Sequence, residues 1–254
     1  MNILSSRAVI YALAAVAVIS LALMVVPQIA PTGDLHTIVV WVFWISFIAL
    51  TIALFAYGRG PGSEEVQIEG PGFARFLFNN RAAGLFWLPI RVFLGVSWLL
   101  SGAGKFGNPA WTDGGAALRG YWMNAVALPD PPARPAITYE WYRDFINMLL
   151  NANAESWFAW LIIMGEIAIG LGLILGALTG IAAFFGALMN MSFLLAGSAS
   201  TNPVLFTMAI GLILAWKVAG YYGLDRWLLP MLGTPWRPGT IIPRGRSGPE
   251  PTTT

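Results

Sequence analysis

Two ionisable side chains stand deep inside long apolar stretches, Arg91 and Glu166. A charge in hydrocarbon is costly, so such residues turn into a helix bundle and pair. Where they do more than hold structure, they mark a ligand head group or a proton path. At 1.5 Å per helical residue, Arg91 lies about 10 Å in from the start of its stretch, and Glu166 about 15 Å from either end of its own. An arginine side chain spans that difference of about 5 Å. The sequence therefore predicts an intramembrane Arg91–Glu166 ion pair. Such a pair either sets helix register, or binds the polar head of a lipophilic ligand, or relays a proton.

Other polar residues have plainer readings. Lys105 follows SGAG at the far end of the Arg91 stretch, where lysine is expected to snorkel to the interface. The string is no phosphate-binding loop: Leu99 stands where the first glycine is needed, and Phe106 where Ser or Thr should follow the lysine. Asn190, near the middle of another stretch with Ser192 beside it, predicts a hydrogen bond across helices. Gly165, Gly170, Gly172, Gly176 and Gly180 include two GxxxG spacings and predict close approach of helix backbones. His36, at the start of a stretch, reads as a cap rather than a ligand.

Composition says what carries these residues. Hydrophobic residues make up 57% of the 254 and charged ones 10%, against about 25% charged in a soluble domain. Mean hydropathy is +0.68. This is an all-α polytopic membrane protein, with membrane lipid as its solvent. The absence of cysteine removes disulfides, thiolate metal sites and iron–sulfur ligation, and a single histidine rules out a bis-histidine haem within this chain. No metal, haem or iron–sulfur cluster is therefore expected to be bound by this chain alone. Electrons would have to sit on an organic carrier or another subunit. A net charge of +2 gives no case for nucleic acid.

Spanning about 30 Å of hydrocarbon takes about 20 helical residues. Six transmembrane helices are predicted, near 8–26, 36–57, 84–104, 156–176, 179–197 and 203–220. The first reads as a retained anchor, being longer than the apolar core of a cleaved signal. The chain divides into a two-helix module (1–57), a polar connector (58–83), a four-helix core (84–229) and a flexible tail (230–254). Within the connector, 72–81 predicts a short amphipathic helix on the membrane surface. Residues 105–155 are rich in Trp and Tyr, which favour the headgroup level. A PDPPARP hinge at 129–135 splits this loop into two short helices, near 113–127 and 138–153, expected to lie on the membrane as a lid. With the N-terminus inside, nine Lys and Arg fall on the cytoplasmic side and four outside. Both termini are therefore predicted cytoplasmic and the aromatic loop periplasmic or extracellular.

RVFLGVSWLLSGAGKFGNPAWTDGGAALRGYW at 91–122, MGEIAIGLGLILGALTGIAAFFGALMN at 164–190 and GLDRWL at 223–228 together resemble the DoxX/DoxD family. The resemblance covers roughly 84–229, and the two N-terminal helices are additions to the family's four-helix bundle. SASTNPVL before the last helix lacks the acidic or histidine character of many relatives. The resemblance implies a prokaryotic cell (inner) membrane protein tied to quinone redox chemistry, like the small subunit of thiosulfate:quinone oxidoreductase. It carries over Arg91, Glu166, Lys105 and Trp111 as a quinone or substrate site. Other protein subunits would be its partners. The alternative is a non-catalytic structural or assembly subunit of a larger respiratory or photosynthetic complex. A small transporter ranks last, because no broken-helix or inverted-repeat pattern is visible.

Overall fold

A computed structural model describes residues 7–25, 31–58 and 71–234. Residues 59–70 of the expected connector and the expected tail beyond 234 lie outside the described residues. The chain divides into two units, Met1–Glu69 and Gly70–Thr254. Every regular element among the described residues is helical.

In the first unit, α1 (Arg7–Val25) packs on α2 (Asp34–Gly58). Both are apolar around most of their circumference, the signature of a helix solvated by lipid. Trp41, Ile45 and Ile48 of α2 are exposed, while small residues, Ala17 and Ala53, are buried. Their serines satisfy themselves within the helix: Ser20 Oγ donates to Val16 O at 2.6 Å and Ser46 Oγ to Phe43 O at 2.9 Å. His36 falls inside the first turn of α2, its N–H bonded to Gly33 O at 3.1 Å, so it is not the cap.

The second unit opens with α3 (Gly72–Asn79), the amphipathic helix expected at 72–81. Asn80 ends it by turning extended, and its side chain accepts from Ala82 N at 2.9 Å to start a 3₁₀ turn. Four helices then close a ring: α4 (Gly84–Phe106) packs on α8 (Glu155–Leu175), α8 on α9 (Thr179–Leu195), α9 on α10 (Asn202–Leu214), and α10 back on α4. Trp87, Leu94, Trp98, Leu173 and Leu212 fill the centre.

Glycines set the α4–α8 spacing. A Cβ on Gly170 would come within 2.6 Å of Leu99 N, and one on Gly95 within 3.0 Å of Gly170 O. The close approach expected from the glycine run is therefore present, with α4 as the partner.

Three segments reach spanning length, Asp34–Leu54, Arg81–Phe106 and Glu155–Leu175. Ala8–Met24, Thr179–Leu195 and Asn202–Leu214 are shorter apolar helices. The span expected at 203–220 is thus helical only to Leu214. Beyond it the chain tightens into mixed turns, with Trp216 N bonding Ile213 O and both Val218 N and Ala219 N bonding Ala215 O. Crowding accompanies the change: a Cβ on Gly180 would lie 2.6 Å from Trp216 Cβ, and one on Gly84 2.8 Å from Val218 O.

Three short helices cover the end of the bundle where α4 finishes: α5 (Pro109–Thr112), α6 (Ala116–Val126) and α7 (Glu140–Asn151). Leu118, Trp122, Ile146 and Leu149 of this lid form a second core with Ala159 and Ile162 of α8. Each buried Leu or Ile there contributes about 1.5–3 kcal/mol relative to exposure to water. At the opposite end, α11 (Asp225–Met231) follows the turns.

Candidate functional site

The four residues singled out from sequence separate into two places. Glu166 does not pair with Arg91. Lys105 Nζ donates to Glu166 Oε1 at 2.9 Å, Glu166 Oε2 at 2.8 Å and Ser101 Oγ at 2.7 Å. An ammonium has three donors, and here all three are used. The Trp111 ring centroid lies 5.2 Å from Nζ, within cation–π range. Lys105 therefore turns inward instead of snorkelling. Its side chain is 19% exposed and that of Glu166 is 1%.

The physical reason is register. α4 and α8 run antiparallel, and a Cβ on Gly102 would sit 3.1 Å from Glu166 Cβ. Arg91 is eleven residues further back along α4, about 16 Å at 1.5 Å per residue. Counting depth from assumed helix ends missed this, because the helices are offset and glycines fix the offset.

Arg91, 1% exposed, closes the other end of α8. The last carbonyls of a helix have no intrahelical partner. Arg91 Nη1 donates to Leu173 O at 2.8 Å and to Ile174 O at 3.3 Å, and Nη2 to Tyr222 O at 3.3 Å. Nearby, Asp225 serves the start of α9, accepting from Leu178 N at 2.6 Å and Thr179 N at 2.9 Å. Its own N–H reaches Gly176 O at 2.7 Å. The cation thus sits at a helix C-terminus and the anion at a helix N-terminus, each favoured by the local dipole. A side chain on Gly176 (φ +65) would overlap Arg91. This arrangement accounts for GLDRWL at 223–228, whose aspartate the sequence reading had not placed in any site.

Asn190 also departs from expectation. It is fully buried, and neither amide atom has a hydrogen-bond partner among the described residues. Its face of α9 also carries Ala183, Gly186 and Ala187. No cluster of three or more His, Cys, Asp or Glu suited to a metal occurs among the described residues.

A cavity of about 640 Å³ lies between the lid helices α6 and α7 and the faces of α8 and α9. Trp122, Tyr142, Phe158, Phe185 and Met189 are among its walls. No Lys, Arg, Asp or Glu lines it, so the Lys105–Glu166 pair is not one of its walls. Its hydroxyl groups belong to Tyr121, Tyr142 and Ser192, and Trp122 adds an indole N–H. Tyr142 Oη donates to Ser192 O at 2.9 Å, and Ser192 Oγ donates to Leu188 O at 3.0 Å. The Tyr121 hydroxyl is buried without a hydrogen-bond partner among the described residues, and Ser198 stands close by outside bonding geometry. Burial pushes both phenols above their usual range, and each therefore stays a neutral O–H donor at physiological pH. Sequence reasoning had noted these tyrosines as lid aromatics and missed them as cavity walls. Their spacing carries no signal, since α6 and α7 meet only through the fold.

No curated protein and no solved structure matches the chain. Residues 86–198 match the DoxX family model. That stretch holds nearly all of α4, the three lid helices, α8 and α9. Over that stretch, 113 of the 254 residues, the chain is similar to the DoxX family, and with its apolar helices it is a multi-pass membrane protein.

Proposed function

We propose that this protein is a quinone-interacting subunit of a membrane oxidoreductase, with the quinone held in the cavity beneath α6 and α7. The observation that carries this reading is a large apolar space, about 640 Å³, walled by aromatics and holding one uncommitted buried hydroxyl. Ligand sites typically measure about 300–1,000 Å³ and pair apolar walls with a few placed polar groups. A quinone would supply the two-electron couple that this cysteine-free chain does not carry in its side chains. The edge-to-face pair of Trp122 and Phe158 would pack against the ring, and Tyr121 would offer its hydroxyl to a ring oxygen. Partner subunits would deliver the electrons. The host membrane is the prokaryotic inner membrane, with both termini cytoplasmic.

Arg91 drops out of the proposed contact set, because its Nη groups go to backbone carbonyls and it is not a wall of the cavity. Lys105, Glu166 and Trp111 remain as a neighbouring ionic pin between α4 and α8, below the lid. The test is quinone binding by purified protein in nanodiscs. Ala168, an exposed cavity wall residue, is replaced by Trp to fill the space. Binding should be saturable in wild type and lost in A168W at unchanged thermal stability. Unchanged binding in A168W sinks the reading and leaves a structural or assembly role.

A further inference from the structure

The cavity is lopsided in two respects, and together they orient its ligand. One is polarity. Its three hydroxyl side chains, Tyr121, Tyr142 and Ser192, and the indole of Trp122 lie at the lid end. The walls toward the α8–α9 turn, such as Gly172, Ala177, Leu178 and Ile181, offer only hydrocarbon side chains or none. From Phe158 to Gly172, the walls follow α8 for fourteen residues, about 21 Å at 1.5 Å per residue. The other is exposure. Phe145, Leu161, Ile181, Phe185 and Leu188 line the cavity and are also 40–57% exposed. All are apolar and come from α7, α8 and α9, so the open side of the groove faces lipid.

Resting on the reading of this cavity as the quinone site, we infer that Tyr121 is its recognition residue. Its hydroxyl donates to one carbonyl of a neutral ring held at the lid end. The hydrocarbon tail runs along the α8–α9 groove toward Ala177, in contact with the bilayer. A neutral ligand follows from walls that hold no charge. A single recognised oxygen follows from a single uncommitted buried hydroxyl, since Tyr142 and Ser192 already donate to backbone carbonyls. The tail follows from the length and openness of the groove. A phospholipid could place its acyl chain in the same groove and its ester carbonyl against the same donor, and the last arm of the test separates the two.

Tritiated decylbenzoquinone and tritiated decylbenzene, the same tail without oxygens, are titrated against the full protein in nanodiscs. Tyr121→Phe should weaken the quinone about 3- to 10-fold, the worth of one net hydrogen bond. It should leave decylbenzene unchanged and leave the melting temperature equal or higher, because no intramolecular bond is lost. A168W should exclude both ligands. If A168W excludes the quinone but Y121F binds it as tightly as wild type, the cavity reading survives and the Tyr121 assignment fails. If wild type binds neither ligand, the cavity reading itself fails. A lowered melting temperature for Y121F would make Tyr121 a structural hydroxyl and overturn the inference. Mass spectrometry of the purified protein provides the last arm. Phospholipid retained at one per chain and not displaced by decylbenzoquinone would assign the groove to a lipid tail and equally overturn it.

Discussion

Lys105 and Glu166 are worth more as a pair than either is alone. Removing one partner of a buried ion pair leaves an uncompensated charge, at a cost on the order of 3–5 kcal/mol, whereas removing both can be close to neutral. Lys105→Met should therefore destabilise the protein strongly. Lys105→Met combined with Glu166→Leu should recover most of the loss, as read by thermal unfolding in detergent. Equal losses in the single and double variants would show that the pair is not the reason for the stability. Arg91 makes the contrasting case. Its planar fork reaches carbonyls of Leu173, Ile174 and Tyr222 at once, which a lysine's single ammonium does not reproduce. Arg91→Lys should lower the melting temperature while leaving decylbenzoquinone affinity where it was. A fall in affinity at unchanged stability would return Arg91 to the ligand site. Both residues were visible in the sequence as charges in hydrocarbon. Their partners were not, because a partner depends on the offset between two helices.

Helices in lipid lack a hydrophobic driving force toward one another, so close packing has to hold them. α4 and α8 meet where Gly95, Gly102 and Gly170 remove side chains from the contact. Gly170→Ala places a Cβ within 2.6–2.8 Å of Leu99 backbone atoms, and should cost roughly 1–3 kcal/mol through forced separation. The same separation should weaken the Lys105–Glu166 contact. A double-mutant cycle of Gly170→Ala with Lys105→Met would then show less than additive loss, and strict additivity would mean that the two contacts are independent. Helix boundaries set by composition or capping were readable in advance: α3, α6 and α7 fall within a few residues of expectation. The early end of α10 was not, since the residues stay apolar through Trp216. Contacts from Gly180 and Gly84, distant in sequence, accompany the tightening there.

For the molecule as a whole, orientation rests on nine Lys and Arg against four. The cysteine-free chain makes this simple to check. A single cysteine at Ala133, in the lid hinge, should react with a membrane-impermeant maleimide added to intact cells, and one at Thr234 only after lysis. The reverse pattern would invert the topology. Membrane residence, the helical class and the family resemblance were legible in one dimension, because they depend on average hydropathy and on motifs contiguous along the chain. The cavity depends on which faces of four separate helices meet. The ion pair depends on an antiparallel register set by glycines. The uncommitted Tyr121 hydroxyl stands out only because Tyr142 and Ser192, brought beside it by the fold, already donate to backbone carbonyls. Each of these is a relation between distant segments, and only the packed structure decides it.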